Sequence, residues 1–277
     1  MWRHLKASPA GPDTMKEDYQ SYWLWGGASH LGGRGDQQDR WGVFALPERQ
    51  GLLAVVADGL GGHGDGALGA QAVVDATEQF VQQQAAILHD HPAEALSLLC
   101  EYSHARIMLV SKLAHSTIVV LWLCDGQAHW MHVGDSRLYQ LRQGGRLLRT
   151  RDHSAAQLLV DMGEIDESEL ATHPEQSRLY RSLGSAELPR PELGSGLVES
   201  DDLFVLCSDG LWEHVHEGEI WEAATRSRDL TLAATILVEL AAARGGPQAD
   251  NSTLVLIRPS RRRLAGWHWL RCLLRRR

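Results

Sequence analysis

The sequence predicts an α+β domain built from layered sheets and helices, and two observations carry that reading. Strand-like apolar runs come in pairs joined by tight-turn dipeptides. Helix-period segments are inserted between groups of those pairs. No internal repeat is visible, nor any linker long enough to divide the body, so the 277 residues read as one large domain with short flanks.

Residues 1–20 carry Pro9, Gly11 and Pro12 among mixed polar residues, show no period, and are expected to be an N-terminal leader. Residues 21–259 form the expected domain. Strand-like runs at Tyr22–Ala28, Arg40–Leu46 and Leu52–Ala57 come first, the last two separated by a Pro47–Gly51 hairpin loop. A long helical pattern follows, with Ala70, Val73, Val74, Thr77, Phe80 and Val81 on one face. Pro92 suits the first turn of a second helix, which carries Leu96, Leu99, Tyr102, Ile107 and Val110. Strands at Ser116–Cys124 and Ala128–Val133 flank Asp125-Gly126, a strong hairpin signal. Arg137–Leu141 and Arg146–Leu148 flank Gly144-Gly145 in the same way. A short helix near Ser154–Met162 leads into a polar stretch, Glu164–Gln176. Strand Leu203–Cys207, helices over Ile220–Ala224 and Leu232–Ala243, and strand Thr253–Ile257 complete the body.

Composition narrows the class. Hydrophobic residues at 44% and charged residues at 22% exclude a wholly disordered chain and a collagen. Apolar runs are interrupted every few residues, so none approaches the ~20 residues that span a bilayer. The first residues lack the apolar core of a secretory signal. Four cysteines without a CxxC pair favour neither a disulfide framework nor a zinc site. A cytoplasmic protein is expected.

The net charge of −8 is unevenly distributed. Seven of the 27 basic residues lie in 261–277, which holds no acid, leaving 20 against 35 acidic groups in the rest. So acidic a body is a poor nucleic-acid binder but suits a protein that concentrates divalent cations. The Arg/Trp-rich segment 260–277 reads as a separate tail. Its mixture of arginines with Trp267, Trp269 and leucines fits an anionic membrane surface or an acidic partner. It fits equally a solvated tail, or one that folds onto the acidic body.

The informative pattern is where the aspartates sit. Asp58 follows the run Leu52–Ala57, Asp135 follows Trp130–Val133 and Gly134, Asp209 follows Leu203–Cys207 and Ser208, and Asp250 precedes the strand Thr253–Ile257. One Asp-Gly at a strand end is usually just a turn. Four carboxylates at the ends of buried strands would converge at one rim of a sheet, where they repel unless a cation sits among them. Oxygen-only ligation points to Mg²⁺ or Mn²⁺, and a two-metal site of this kind activates water for attack on a phosphate.

Six stretches occur in order: Arg34–Asp39 (RGDQQD), Asp58–Gly66 (DGLGGHGDG), Gly134–Tyr139 (GDSRLY), Thr150–His153 followed by Gln157, Ser208–Leu211 (SDGL), and Gly245–Thr253 (GGPQADNST). Together they resemble the metal-dependent serine/threonine protein phosphatases of type 2C, the PPM family, in bacterial single-domain form. The resemblance runs from about Trp25 to Ile257. It implies a sandwich of two antiparallel β-sheets flanked by helices, in α-β-β-α layers, with a binuclear Mn²⁺/Mg²⁺ centre in a cleft at one end. Carried over, Asp58 bridges both metals and the Gly59 carbonyl ligates one. Asp209 and Asp250 hold the other, and Asp135 matches the ligand of a weaker third ion. Arg34 matches the arginine that grips the substrate phosphate, Asp39 a carboxylate that orients water, and His63 the proposed general acid. Residues Glu164–Gln176 fall where the family carries a flap. The implied partners are phosphorylated proteins and an opposing Ser/Thr kinase, and a monomer is expected.

The sequence departs from the family at Gln37-Gln38, where Asn-Glu is usual, at Ala67, where glutamate is common, and at His115-Ser116-Thr117, where a glycine usually opens the strand. No direct metal ligand is removed. The Gln pair supports one alternative, a catalytically weak relative that binds phosphoproteins without turnover. Three other patterns carry less. Gly59–Gly64 matches GxGxxG, but the acid at the right spacing, Glu78, lies within a helical pattern. Cys100–Arg106 matches the Cys-x₅-Arg loop of cysteine phosphatases but continues an amphipathic helix. His89-Asp90-His91 reads as a solvated connection before Pro92 rather than a metal site.

Overall fold

Two tight turns with left-handed backbone set the strand pairing. At Asp125-Gly126 (φ 47° and 80°) and Gln143-Gly144 (φ 51° and 78°), consecutive positive φ values match the right-handed twist of the flanking strands. The second turn lies one residue earlier than the sequence suggests, so Gly145 already belongs to a strand. The computed structural model describes residues 22–46, 51–62 and 64–260. The proposed leader, the Pro47–Gln50 loop, His63 and the tail beyond Ser260 lie outside the described residues.

Among the described residues, eleven strands form two antiparallel sheets. One sheet comprises β1 (Trp23–His30), β7 (Arg137–Arg142), β8 (Gly145–Arg149), β10 (Asp202–Cys207) and β11 (Ser252–Pro259), in the order β1-β11-β10-β7-β8. The other comprises β2 (Asp39–Leu46), β3 (Gly51–Leu60), β5 (Ile118–Cys124), β6 (Gln127–Val133) and β9 (Glu192–Leu197), in the order β2-β3-β5-β6-β9. The two-residue strand β4 (His115–Ser116) also pairs with β3. The predicted Ser116–Cys124 strand is therefore broken at Thr117. Its hydroxyl accepts from the Asp58 N–H at 2.9 Å, a pairing that serves the site rather than the ladder.

The inner faces of the two sheets meet in an apolar layer that includes Val43, Leu52, Val56, Leu121, Phe204, Leu206 and Val255. Helices α1 (Asp65–Asp90) and α2 (Pro92–Val110) cover the outside of the second sheet through Val73, Phe80, Leu96 and Leu99. The short helices α3 (Ala155–Met162) and α4 (Asp209–Trp212) lie in connections. Helices α5 (Glu217–Arg226) and α6 (Leu230–Gly245) cover the first sheet through Ile220, Ala234, Leu237 and Val238. The result is the α-β-β-α layering that the resemblance implied.

β9 was missed by sequence reasoning. Its sequence, ELGSGL, has neither alternation nor β-branched residues, and four of its six residues are exposed. It is an edge strand, and Gly194 is needed because a Cβ there would come within 2.3 Å of the Trp130 ring. His89 also departs from expectation. It lies in the last turn of α1, 3.2 Å from the Cys124 sulfur and edge-on to Trp122, and not in a solvated loop.

Candidate metal and phosphate site

Strand register brings the acidic residues to one end of the sandwich. Asp39 opens β2 directly opposite Asp58 near the end of β3. In the other sheet Cys207, the last residue of β10, is paired with both Leu254 of β11 and Arg137 of β7. The segments just beyond these positions hold Asp209, Asp250 and Asp135. A cleft of about 420 Å³ opens there, and Asp58, Gly59, Asp135, Asp209, Asp250 and Arg34 all line it.

Local hydrogen bonds hold each group in place. The Asp58 carbonyl accepts from the Thr117 N–H at 2.8 Å and from the Ser116 hydroxyl at 3.1 Å. Gly59 must be glycine, because a Cβ there would sit 1.9 Å from the Gly66 carbonyl oxygen at the start of α1. Asp209 begins α4 and accepts from the Gly210 N–H at 2.6 Å. Trp212, in the last position of that turn, donates its indole N–H to the Asp135 carbonyl at 3.0 Å. Asn251 clamps the cleft wall: its side chain donates to the Leu31 and Asp36 carbonyls and accepts from the Gln38 N–H.

The electrostatics are unbalanced. Burial pushes the Asp58 carboxyl well above its ordinary value, and the charges of Asp39, Asp209, Asp135 and Asp250 push it further. Asp209 is raised in the same way, by burial and then by Asp135, Glu213, Asp250 and Asp39. Asp39 and Asp135 are each raised to about 7, chiefly by burial. The Asp39 Oδ2 accepts from the Ser208 hydroxyl at 2.7 Å, while its buried Oδ1 has no partner. A cleft of oxygen donors that mutually raise their pKa values, with an orphaned carboxylate oxygen behind them, fits hard divalent cations. These residues therefore suit the metal centre that the family resemblance implied.

The structure gathers Asp39, Asp58, Gly59, Asp135, Asp209, Asp250 and Arg34 at one place. Arg34 is 57% exposed and pairs with Asp250 at 2.6 Å, a contact that the sequence did not foretell. His63 lies outside the described residues. Glu213 was overlooked. It stands four residues after Asp209 on the next helical turn, and its carboxyl is raised by burial and by Asp250. The i,i+4 spacing of Asp209 within SDGL and Glu213 after it was the available signal. Of the expected flap, the turn at Glu167–Thr172 lies away from the cleft lining, whereas Gln176 donates to Glu213 at 2.7 Å and the following Ser177 and Leu179 line the cleft.

The competing patterns resolve plainly. Cys100 is buried inside α2 with its thiol pushed up to about 12 by burial, which leaves it inert. Glu78 lies inside α1, so the dinucleotide pattern lacks its acid. His132, His153 and Glu192 approach one another behind Gly134, outside the cleft lining. The two imidazoles are stacked with planes 8° apart, and a nitrogen lone pair lies in the ring plane, so both rings cannot direct lone pairs at one ion. The Arg181 guanidinium also lies 3.3 Å from His153 Nε2. That cluster is a packed structural feature.

Fold and site together define a metal-dependent phosphohydrolase class. The family profile of protein phosphatase 2C matches residues 26–241, and the chain belongs to that family. A putative protein phosphatase 2C-type of Streptococcus pyogenes is 30% identical over 214 residues, covering 74% of this chain and 85% of its own length. The serine/threonine protein phosphatase PstP of Mycobacterium tuberculosis is 31% identical over 214 residues, covering 74% of this chain and 40% of PstP. Among solved structures, the Streptococcus agalactiae serine/threonine phosphatase superposes with a TM-score of 0.77 at 28% identity, covering 86% of this chain and 100% of that one. The PstP catalytic domain in complex with two manganese ions gives 0.71 at 28% identity, covering 85% and 97%.

Proposed function

We propose that this protein hydrolyses phosphoserine and phosphothreonine in proteins, using a binuclear Mn²⁺ or Mg²⁺ centre held by Asp58, the Gly59 carbonyl, Asp209 and Asp250. The observation that carries this reading is the buried group of carboxylates with Arg34 as the one cation lining the cleft among the described residues. Such a centre supplies Lewis acidity and a nucleophilic water at neutral pH. The chain's own residues do the rest. Asp39, fixed by the Ser208 hydroxyl and opposite Asp58 across β2 and β3, would orient the attacking water. Arg34 turns from Asp250 to pair two phosphate oxygens, which neutralises developing charge. His63 gives a proton to the departing serine or threonine oxygen. Asp135 and Glu213 would hold a weaker third ion. Leu179 and Ser177, at the end of the flap segment, form the wall nearest the substrate.

An opposing Ser/Thr kinase supplies the substrates. A monomer in the cytoplasm fits this reading. The Arg-rich tail fits a membrane surface or an acidic partner. Turnover of a phosphothreonine peptide that requires Mn²⁺ or Mg²⁺ and is abolished by chelation tests the reading. Turnover that survives chelation and dies on thiol alkylation would refute it. Gln38, which lines the cleft with an amide, keeps the non-catalytic binder as the second reading. That reading expects phosphopeptide binding with background turnover at saturating Mn²⁺.

A further inference from the structure

Next to the cleft, the chain exposes large apolar side chains that its own described residues leave uncovered. Leu109 and Leu113 are 77% and 70% exposed, and Leu68 and Val110 about half. They belong to one corner, where the end of α2 meets the start of α1. The Ser111 hydroxyl donates to Asp65 in the first turn of α1 at 2.7 Å and accepts from the Leu113 N–H at 3.1 Å. This corner is thereby held in shape before anything binds to it. It is also continuous with the cleft. Leu60 and Gly61 line the cleft, and a Cβ on Gly61 would lie 3.1 Å from the Leu113 carbonyl.

We propose that this corner receives bulky apolar residues flanking the phosphorylated serine or threonine of the protein substrate, and so sets substrate preference. The proposal rests on the phosphatase reading. A phosphoresidue seated at Gly59 carries its neighbours along an extended chain at about 3.3 Å per residue, so flanking residues that run past Gly61 meet Leu113 and the corner it belongs to. Four large apolar side chains exposed together beside a cleft suit a recognition site.

The test compares kcat/KM of the full chain with Mn²⁺ on two phosphothreonine peptides and on p-nitrophenyl phosphate. One peptide carries Leu or Phe at flanking positions and the other Ser. The wild type is expected to favour the apolar peptide by about tenfold, mostly in KM. Leu109→Ser and Leu113→Ser, made singly and together, are expected to erase that ratio. Absence of a preference in the wild type overturns the proposal. So does an equal loss on all three substrates, or dissociation of an oligomer by either variant, which would assign the corner to a second copy. A wild type inert on p-nitrophenyl phosphate would instead sink the phosphatase reading itself.

Discussion

Two buried charged clusters lie close together in this protein and are built on opposite principles. Arg137 and Asp152 form a two-point ion pair at 2.8 and 2.5 Å, with side chains 7% and 2% exposed. The guanidinium also lies 3.5 Å over the Trp212 ring and donates to the Tyr139 hydroxyl. Every charge there is answered within the chain. At the cleft, Asp39, Asp58, Asp135 and Asp209 gather with no such answer, and their pKa values rise. Trp212 joins the two clusters, since its indole also holds the Asp135 carbonyl. One cluster is complete as folded and supports the other, which is completed only from outside.

Breaking each cluster should therefore fail in a different way. Asp58→Asn is expected to cut turnover by on the order of 10²–10³-fold or more, with the fold intact by circular dichroism. Asp152→Ala leaves Arg137 buried without its counter-ion and is expected to cost about 3–5 kcal/mol of stability, read by urea denaturation. Excess Mn²⁺ should raise the melting temperature of the wild type, by about 2.7 kcal/mol of added stability at a hundredfold excess over Kd, and should leave Asp58→Asn almost unmoved.

The pH dependence sharpens the contrast. A carboxyl whose folded pKa is about 7 binds its proton more tightly folded than unfolded, so its contribution falls as pH rises from about 4 to 7. The metal-free protein should lose stability across that window, and Asp58→Asn should lose less. His132 and His153, lowered by burial, act in the opposite sense as pH falls below about 6.5, which is why the variant serves as reference. If the two melting curves run parallel from pH 5 to 8, the carboxylates do not repel as described. The smallest effect is expected at the periphery: Glu213→Gln should weaken a secondary Mn²⁺ affinity by about tenfold in a calorimetric titration, with the first two ions unaffected.

Much of this was legible before the fold was known, and for a physical reason. Asp58, Asp135 and Asp209 follow apolar runs and Asp250 precedes one, so the element boundary and the functional group share one local signal. What stayed hidden depends on contacts distant in sequence. The Arg34–Asp250 pair joins residues 216 apart. β9 is a strand because β6 recruits it, not because of its own residues. Thr117 keeps one backbone bond to Asp58 but takes the Asp58 N–H with its hydroxyl, a choice that a β-branched residue in an apolar run does not announce. Glu213 was missed because a short helix of four residues gives no period to read.

The bond between the Ser260 N–H and the Tyr22 carbonyl has a practical outcome. Both ends of the body emerge together at the pole opposite the cleft. An affinity tag, a fluorophore or a sensor surface attached at Tyr22 or Ser260 would leave the opening facing outward into the medium. One immobilised preparation could then serve for binding and for turnover alike.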